Sequence, residues 1–230
     1  MSAELRVPAP GPSPRGLFVT VEGGDSAGKS TQLRLLREHL LGSRGLAPDQ
    51  VLTTREPGGT ALGAQLRELI LHGDHVDPRA EALLYAADRA HHVATLVRPH
   101  LEAGGVVLSD RYLDSSVAYQ GVGRALDPEQ VAALSLWATG GLLPHRTLLL
   151  DIPPETISRR REAGSLDRLE REGEVFHAAV REQFLAMAAA DPGRWRVIDG
   201  SRSREDVHAD VVAALAADLD ALAASGPEPR

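Results

Sequence analysis

The sequence predicts an α/β protein, a five-stranded parallel sheet with helices on both faces. Three observations carry this expectation. Short runs rich in Val, Leu and Ile alternate with longer segments of helical period. Each run is nearly all apolar, as in parallel strands buried on both faces. The segments between the runs open on recognisable helix caps. Strand, helix and strand in this rhythm imply right-handed crossovers and a doubly wound sheet, in which ligands bind at the carboxyl ends of the strands.

In order, the predicted strands are Leu17 to Glu22, Val51 to Arg55, Val106 to Asp110, Arg146 to Asp151 and Arg196 to Asp199. Asp77-Pro78 and Asp127-Pro128 each set a carboxylate cap before a proline at the first helical position, and Ser203 with Asp206 resembles a capping box. Pro8, Pro10, Pro12 and Pro14 prevent helix or central strand at the start. Residues 1–15 and 224–230 therefore read as tails around a single domain over 16–223.

The chain has 230 residues, 43% of them hydrophobic, enough for one sizeable core. It has no Cys, which excludes disulfides, thiol nucleophiles and cysteine-held metals. A net charge of −7 argues against the basic footprint of a nucleic-acid binder, and no apolar stretch is long enough to span a bilayer. A cytoplasmic protein with neither nucleic-acid nor membrane partner is expected. Among the basic positions only Lys29 is lysine; every other is arginine.

Lys29 lies in Gly23-Gly24-Asp25-Ser26-Ala27-Gly28-Lys29-Ser30, a G-x-x-x-x-G-K-[ST] loop between the first strand and a helix predicted from Thr31 through Leu41. In such a P-loop the backbone N–H groups turn inward on phosphate oxygens. The lysine reaches the β and γ phosphates, and the Ser30 hydroxyl ligates Mg²⁺. Nucleoside triphosphate binding by Gly23 to Thr31 follows. Asp110, ending the third strand, is the favoured second Mg²⁺ holder. Asp151 competes, although it stands just ahead of Pro153 and can serve the next helix start.

Arg55 and Arg111 end the second and third strands beside this loop. Their planar forks suit a second phosphate, so an anionic acceptor is expected rather than water; ion pairs with Glu56 or Asp110 are the structural alternative. Tyr85 and Arg89, four apart on one helix face, can stack a base and bond its edge, or can be a core residue and a solvated one. Arg159, Arg160, Arg161 and Arg168 bracket a polar segment and suggest a flap that closes over the triphosphate, although basic runs also serve as solvated faces. His91-His92 lacks an acidic partner at metal-ligand spacing and reads as helix surface. Trp137, near Val131, Leu134 and Leu136, can face a partner or the core.

Taken in order, these motifs resemble bacterial thymidylate kinase. The carrying segments are Phe18 to Gln32, Thr54 to Thr60, Asp110 to Gly121, Leu166 to Glu170 and Ile198 to Ser201. The resemblance implies the P-loop NTPase fold with an arginine-bearing lid at about 159–172, usually in a homodimer. It implies Mg²⁺-dependent transfer of the γ-phosphoryl group of ATP to dTMP. By motif position, Arg55 and Arg111 would hold the dTMP phosphate, Asp25 the 3′-hydroxyl, Tyr85 the ring and Arg89 its edge. Ser116 and Tyr119 would line the same pocket, with Tyr119 helping exclude a 2′-hydroxyl. Lys29, Arg111 and the lid arginines Arg159, Arg160, Arg161 and Arg168 would be catalytic. Three departures stand out: Ser26 where Gly is common, Tyr85 where Phe is common, and His145 where Asp often follows the proline. Two other readings of the chain are a kinase for a different nucleoside monophosphate and a regulatory P-loop NTPase. The second lacks an N-K-x-D element, since no lysine exists beyond Lys29.

Overall fold

The computed structural model describes residues 15–124, 126–153, 156–157, 168–169 and 171–224. Strands β1 (Leu17–Glu22), β2 (Val51–Arg55), β3 (Val106–Asp110), β4 (Arg146–Asp151) and β5 (Trp195–Asp199) form one parallel sheet in the order β2-β3-β1-β4-β5. Four strands have the predicted bounds. The fifth starts one residue early, because Trp195 turns its ring into the core beside Phe184.

Burial on both faces holds for the three inner strands and fails for the edges. Leu17, Val19, Val21, Val106, Leu108, Leu148 and Leu150 point into one layer, while Phe18, Val107 and Leu149 point into the other. β2 and β5 mix covered and open positions, and Val197 of β5 is 53% exposed. An edge strand has a neighbour on one side only, so its outer face is less fully roofed by helices.

The first layer is roofed by helix α1 (Lys29–Gly42), two residues longer at its start than predicted, and by the C-terminal helix (Arg204–Ala224). On the other face lie α2 (Ala61–His72), α3 (Pro78–His92), α4 (Arg98–Glu102), α5 (Leu113–Ser116), α6 (Pro128–Thr139) and α7 (Glu174–Ala190). The C-terminal helix is α8. Both proline-led caps form as predicted: Asp77 accepts from Arg79 N at 2.9 Å and Asp127 from Glu129 N at 2.9 Å. Ser203 caps α8 by accepting from Asp206 N at 3.1 Å, while its hydroxyl donates to the Asp206 carboxylate at 2.7 Å. Trp137 on α6 is 51% exposed, which favours the outward of its two readings.

Two π-helical turns interrupt the second layer. Val93–Val97 joins α3 to α4 just before Pro99, whose missing N–H and ring an α-turn would not accommodate. Val117–Gly123 follows α5 and carries Tyr119 and Gln120. The chain leaves β1 for α1 on one face and leaves β3 for α5 on the other. The crevice between the ends of β1 and β3 is thus the switch point of the sheet.

His145 joins the sheet to the loop before β4. Its backbone N–H donates to Phe18 O at 2.8 Å, and its Nδ1 accepts from Phe18 N at 2.9 Å. An imidazole that accepts at Nδ1 is neutral and carries its proton on Nε2. The side chain therefore takes the acceptor role that a carboxylate would fill. Burial lowers its pKa from the usual 6.5; Asp218 opposes this and Arg146 adds to it. As pH falls, the unfolded chain protonates His145 before the folded one does, so stability is lost as pH drops through about 6.5. The His145→Asn variant keeps an acceptor that does not titrate. Melting temperatures from about pH 7.5 to about pH 5.5 should fall less steeply for that variant than for the wild type.

Candidate active site

The loop between β1 and α1 wraps its own lysine. Lys29 is buried, and its Nζ donates to Gly23 O at 3.1 Å and Gly24 O at 2.8 Å. Gly23 sits at φ 132, where a Cβ would meet Leu150 O at 2.5 Å, and Gly28 at φ 97 caps α1. Ser26 adopts φ 60 without the freedom of glycine, a strained position at the tip of the loop. Burial, with repulsion from Arg111, lowers the Lys29 pKa, opposed by Asp110, Asp25 and Glu22.

At the start of α1, Ser30 Oγ donates to Asp110 Oδ2 at 3.0 Å, while Asp110 Oδ1 is buried without a hydrogen-bond partner. Asp151 is occupied elsewhere, as both its oxygens accept from Arg181, at 2.6 and 2.8 Å. Of the two aspartates, Asp110 is the one beside the loop hydroxyl. A hydroxyl and one unsatisfied carboxylate oxygen suit Mg²⁺, which typically takes few protein ligands and fills its shell with phosphate oxygens and water. Among the described residues no cluster of three or more His, Asp or Glu could hold a metal by protein alone.

Arg111 follows β3 in the left-handed region, at φ 68, with its N–H donating to Val21 O at 3.1 Å. That turn sends the guanidinium across the crevice. It donates to Asp25 at 2.6 Å, to Ser115 at 3.1 Å and to the Tyr119 hydroxyl at 3.2 Å, and lies 4.9 Å over the Tyr119 ring. Its ion pair is thus with Asp25, not with Glu56 or Asp110. Burial opposes ionisation of Asp25, yet Arg111 and Lys29 outweigh it and hold that carboxyl down at about 2. Glu22 accepts from Tyr112 N at 2.8 Å and Ser115 Oγ at 2.6 Å; burial, then Asp114, pushes it up to about 7.

Two hollows meet here. The phosphate side is an open cleft lined by residues of the loop together with Arg55, Arg67, Asp110 and Arg111. Arg55 is exposed in it and makes no ion pair among the described residues. The second hollow is lined by Asp25, Tyr85, Arg89, Arg111, Ser116 and Tyr119, with Arg67, Gln120 and Leu169 among its other walls. Six of the seven residues expected at the acceptor nucleotide thus share one cavity, and Arg55 adjoins it.

Arg89 is not solvated. It is 1% exposed and donates to Glu56 at 2.8 Å, Ser135 at 3.1 Å and Ser116 at 2.9 Å. Glu56 also meets His92 Nδ1 at 2.8 Å, and His92 Nε2 meets Thr54 Oγ1 at 2.7 Å. His92 is fully buried, which corrects its expected place on the surface. Successive helical residues point about 100° apart, so His91 stays half-open while His92 turns towards β2. Arg159, Arg160 and Arg161 lie outside the described residues. Arg168 donates to Ile70 O at 3.0 Å and pairs with the Glu81 carboxylate. Glu56, expected only as an ion-pair partner of a strand-end arginine, pairs instead with Arg89. Glu22, Arg67 and Gln120 escaped sequence reasoning; Glu22, a carboxylate closing an apolar strand, and Gln120, inside the segment after the third strand, carried a signal there.

The thymidylate kinase family model matches residues 21–211. The chain belongs to the thymidylate kinase family. It is 60% identical over 201 residues to a thymidylate kinase of Leifsonia xyli subsp. xyli, covering 85% of this chain and 92% of that one. It is 52% identical over 213 residues to a thymidylate kinase of Bifidobacterium longum, covering 90% and 99%. The crystal structure of thymidylate kinase from Ehrlichia chaffeensis superposes with a TM-score of 0.71 at 30% identity, over 87% of this chain and 98% of that one. Thymidylate kinases phosphorylate a nucleotide, which accords with a phosphate cradle beside a second cavity lined by Tyr85 and Tyr119.

Because Arg89 is buried, Glu56 supplies the counter-ion that balances its charge. Glu56→Gln leaves a buried guanidinium without a counter-ion. Urea denaturation should show a loss of about 3 kcal/mol, whereas replacing the exposed Glu38 of the surface pair with Arg34 should cost under about 1 kcal/mol.

Proposed function

We propose that this chain transfers the γ-phosphoryl group of ATP to dTMP, giving dTDP and ADP, and that Mg²⁺ is its cofactor. The observation that carries the reading is the meeting of the phosphate cleft and the base cavity at Asp25, Arg67 and Arg111. A nucleotide with its base in the cavity presents its phosphate to Arg55 and Arg111, facing Lys29 across the crevice.

In this reading Gly23 to Thr31 wrap the ATP phosphates and Lys29 draws charge from the transferred group. Ser30 and Asp110 hold Mg²⁺, which supplies positive charge on the phosphate oxygens. Tyr85 stacks on thymine, Arg89 and Ser116 bond its edge, and Asp25 and Tyr119 bracket the deoxyribose. A phosphate acceptor is already anionic near neutral pH, so no general base is needed. Catalysis is alignment plus neutralisation of charge, to which Arg159, Arg160 and Arg161 contribute from the lid at about 159–172. Arg168, expected to act with them, has its guanidinium on Glu81 and Ile70 O. The catalytic unit is a single domain over 16–223, working as a cytoplasmic homodimer. Among the described residues no helix is long and apolar enough to cross a membrane.

A coupled assay over a panel of nucleoside monophosphates should give the highest kcat/KM with dTMP. Greater turnover with a purine or ribonucleotide acceptor, or ATP hydrolysis that needs no acceptor, would reject the reading. Lys29→Ala should lower kcat at least about a thousandfold with an unchanged melting curve. Lys29→Arg, which keeps the charge but places a broad fork in a cradle shaped by Gly23 and Gly24, should also be strongly impaired. Asp110→Asn should raise the Mg²⁺ concentration needed for half-maximal activity, measured at fixed ATP.

A further inference from the structure

Glu81, in the first turn of α3, is fully buried, and its single carboxylate serves three partners from distant parts of the chain. Gln120 Nε2 donates to Oε1 at 2.9 Å, Arg124 Nε lies 3.5 Å from the same oxygen, and Arg168 pairs with Oε2. Arg124 also pairs with Glu172 and lies 5.5 Å over the Phe176 ring. A carboxylate between two guanidiniums offers only acceptor oxygens. The side-chain amide of Gln120 must therefore turn its nitrogen, not its oxygen, towards Glu81. Gln120 is 1% exposed and lines the base cavity. Its carbonyl oxygen accepts no hydrogen bond among the described residues, so an acceptor is what this side chain has left for a ligand.

We infer that Glu81 is a specificity-determining positioning residue that works through Gln120. By binding the amide nitrogen it fixes the orientation in which Gln120 presents a hydrogen-bond acceptor to the base. A pyrimidine with an N–H at ring position 3, as in thymine and uracil, meets that oxygen with a donor. Cytosine carries a lone pair at the same position and meets acceptor with acceptor, leaving two buried polar groups unpaired. Arg124 and Arg168 supply the positive charge that makes a buried carboxylate tenable at this spot. Glu81 need not touch the nucleotide.

The inference rests on the dTMP kinase reading, and one experiment separates the two. The kcat/KM values for dTMP and dCMP are measured with the wild type, Glu81→Gln and Arg124→Gln. In Glu81→Gln the partner side chain can offer either a donor or an acceptor, so the Gln120 amide is free to reverse. The dTMP over dCMP preference should fall at least about tenfold, through a higher KM for dTMP rather than a lower kcat. Arg124→Gln removes a cation from the same carboxylate without releasing the amide, and should keep the preference within about threefold of wild type. Should Glu81→Gln not fold, Glu81→Asp keeps the charge beside both arginines, withdraws the oxygen from Gln120, and should show the same loss. An unchanged preference in a folded Glu81 variant, or an equal loss in Arg124→Gln, overturns the role of Glu81. A wild-type protein inactive on dTMP overturns the kinase reading itself.

Discussion

The cleft depends on where β3 ends. Arg111 leaves the strand in a left-handed turn, pinned by its N–H to Val21 O on the neighbouring strand. Only that turn carries the guanidinium to Asp25 in the loop after β1 and across the Tyr119 ring. Glu22, at the end of β1, accepts from the next backbone N–H, that of Tyr112, and from Ser115. Two adjacent strand ends are thus tied by reciprocal contacts, and the phosphate cradle and the base cavity take their relative position from that tie. A left-handed arginine costs on the order of 1 kcal/mol or more, which the surrounding bonds offset.

The electrostatics follow from the same geometry. Lys29, Arg111, Arg55 and Arg67 converge from four segments on one open cleft. Glu22, Asp25 and Asp110 keep this concentration of positive charge from being left unbalanced. Asp25 is held ionised by its arginine and lysine neighbours, whereas Glu22, deeper and next to Asp114, titrates near neutrality. Of Glu22 and Asp25, the stronger acid is the one bonded to Arg111. Among the described residues of this cleft none is aimed as a general base at a hydroxyl, and a phosphate acceptor requires none.

The wall behind the base cavity is organised by two buried carboxylates on different elements. Glu56 gathers Arg89 and His92, and Glu81 gathers Gln120, Arg124 and Arg168. Each joins α3 to parts of the chain far away in sequence, so α3 is braced at both ends. Tyr85 stands between these anchor points. Held at both ends, α3 sets Tyr85 and Arg89, four residues apart, in the lining of one cavity.

The sequence by itself determined the elements whose causes are local. Apolar runs of strand length placed the five strands to within a residue, aspartate before proline placed two helix starts, and the glycine spacing with Lys29 placed the phosphate cradle. Six residues that line the cavity beside Arg111 were legible too, from their places in the loop after β1, in the segment after β3 and on one face of α3. The tertiary structure decided what depends on partners distant in sequence. It made β2 and β5 edges, buried His92 against Thr54 and Glu56, paired Arg111 with Asp25, separated Asp110 from Asp151, and brought Glu81 to Gln120 across 39 positions. Local propensity and period are properties of neighbouring residues, so they can be read in one dimension. Burial of a charge and choice of its partner are properties of the packed chain, and they exist only once the strands have taken their order in the sheet.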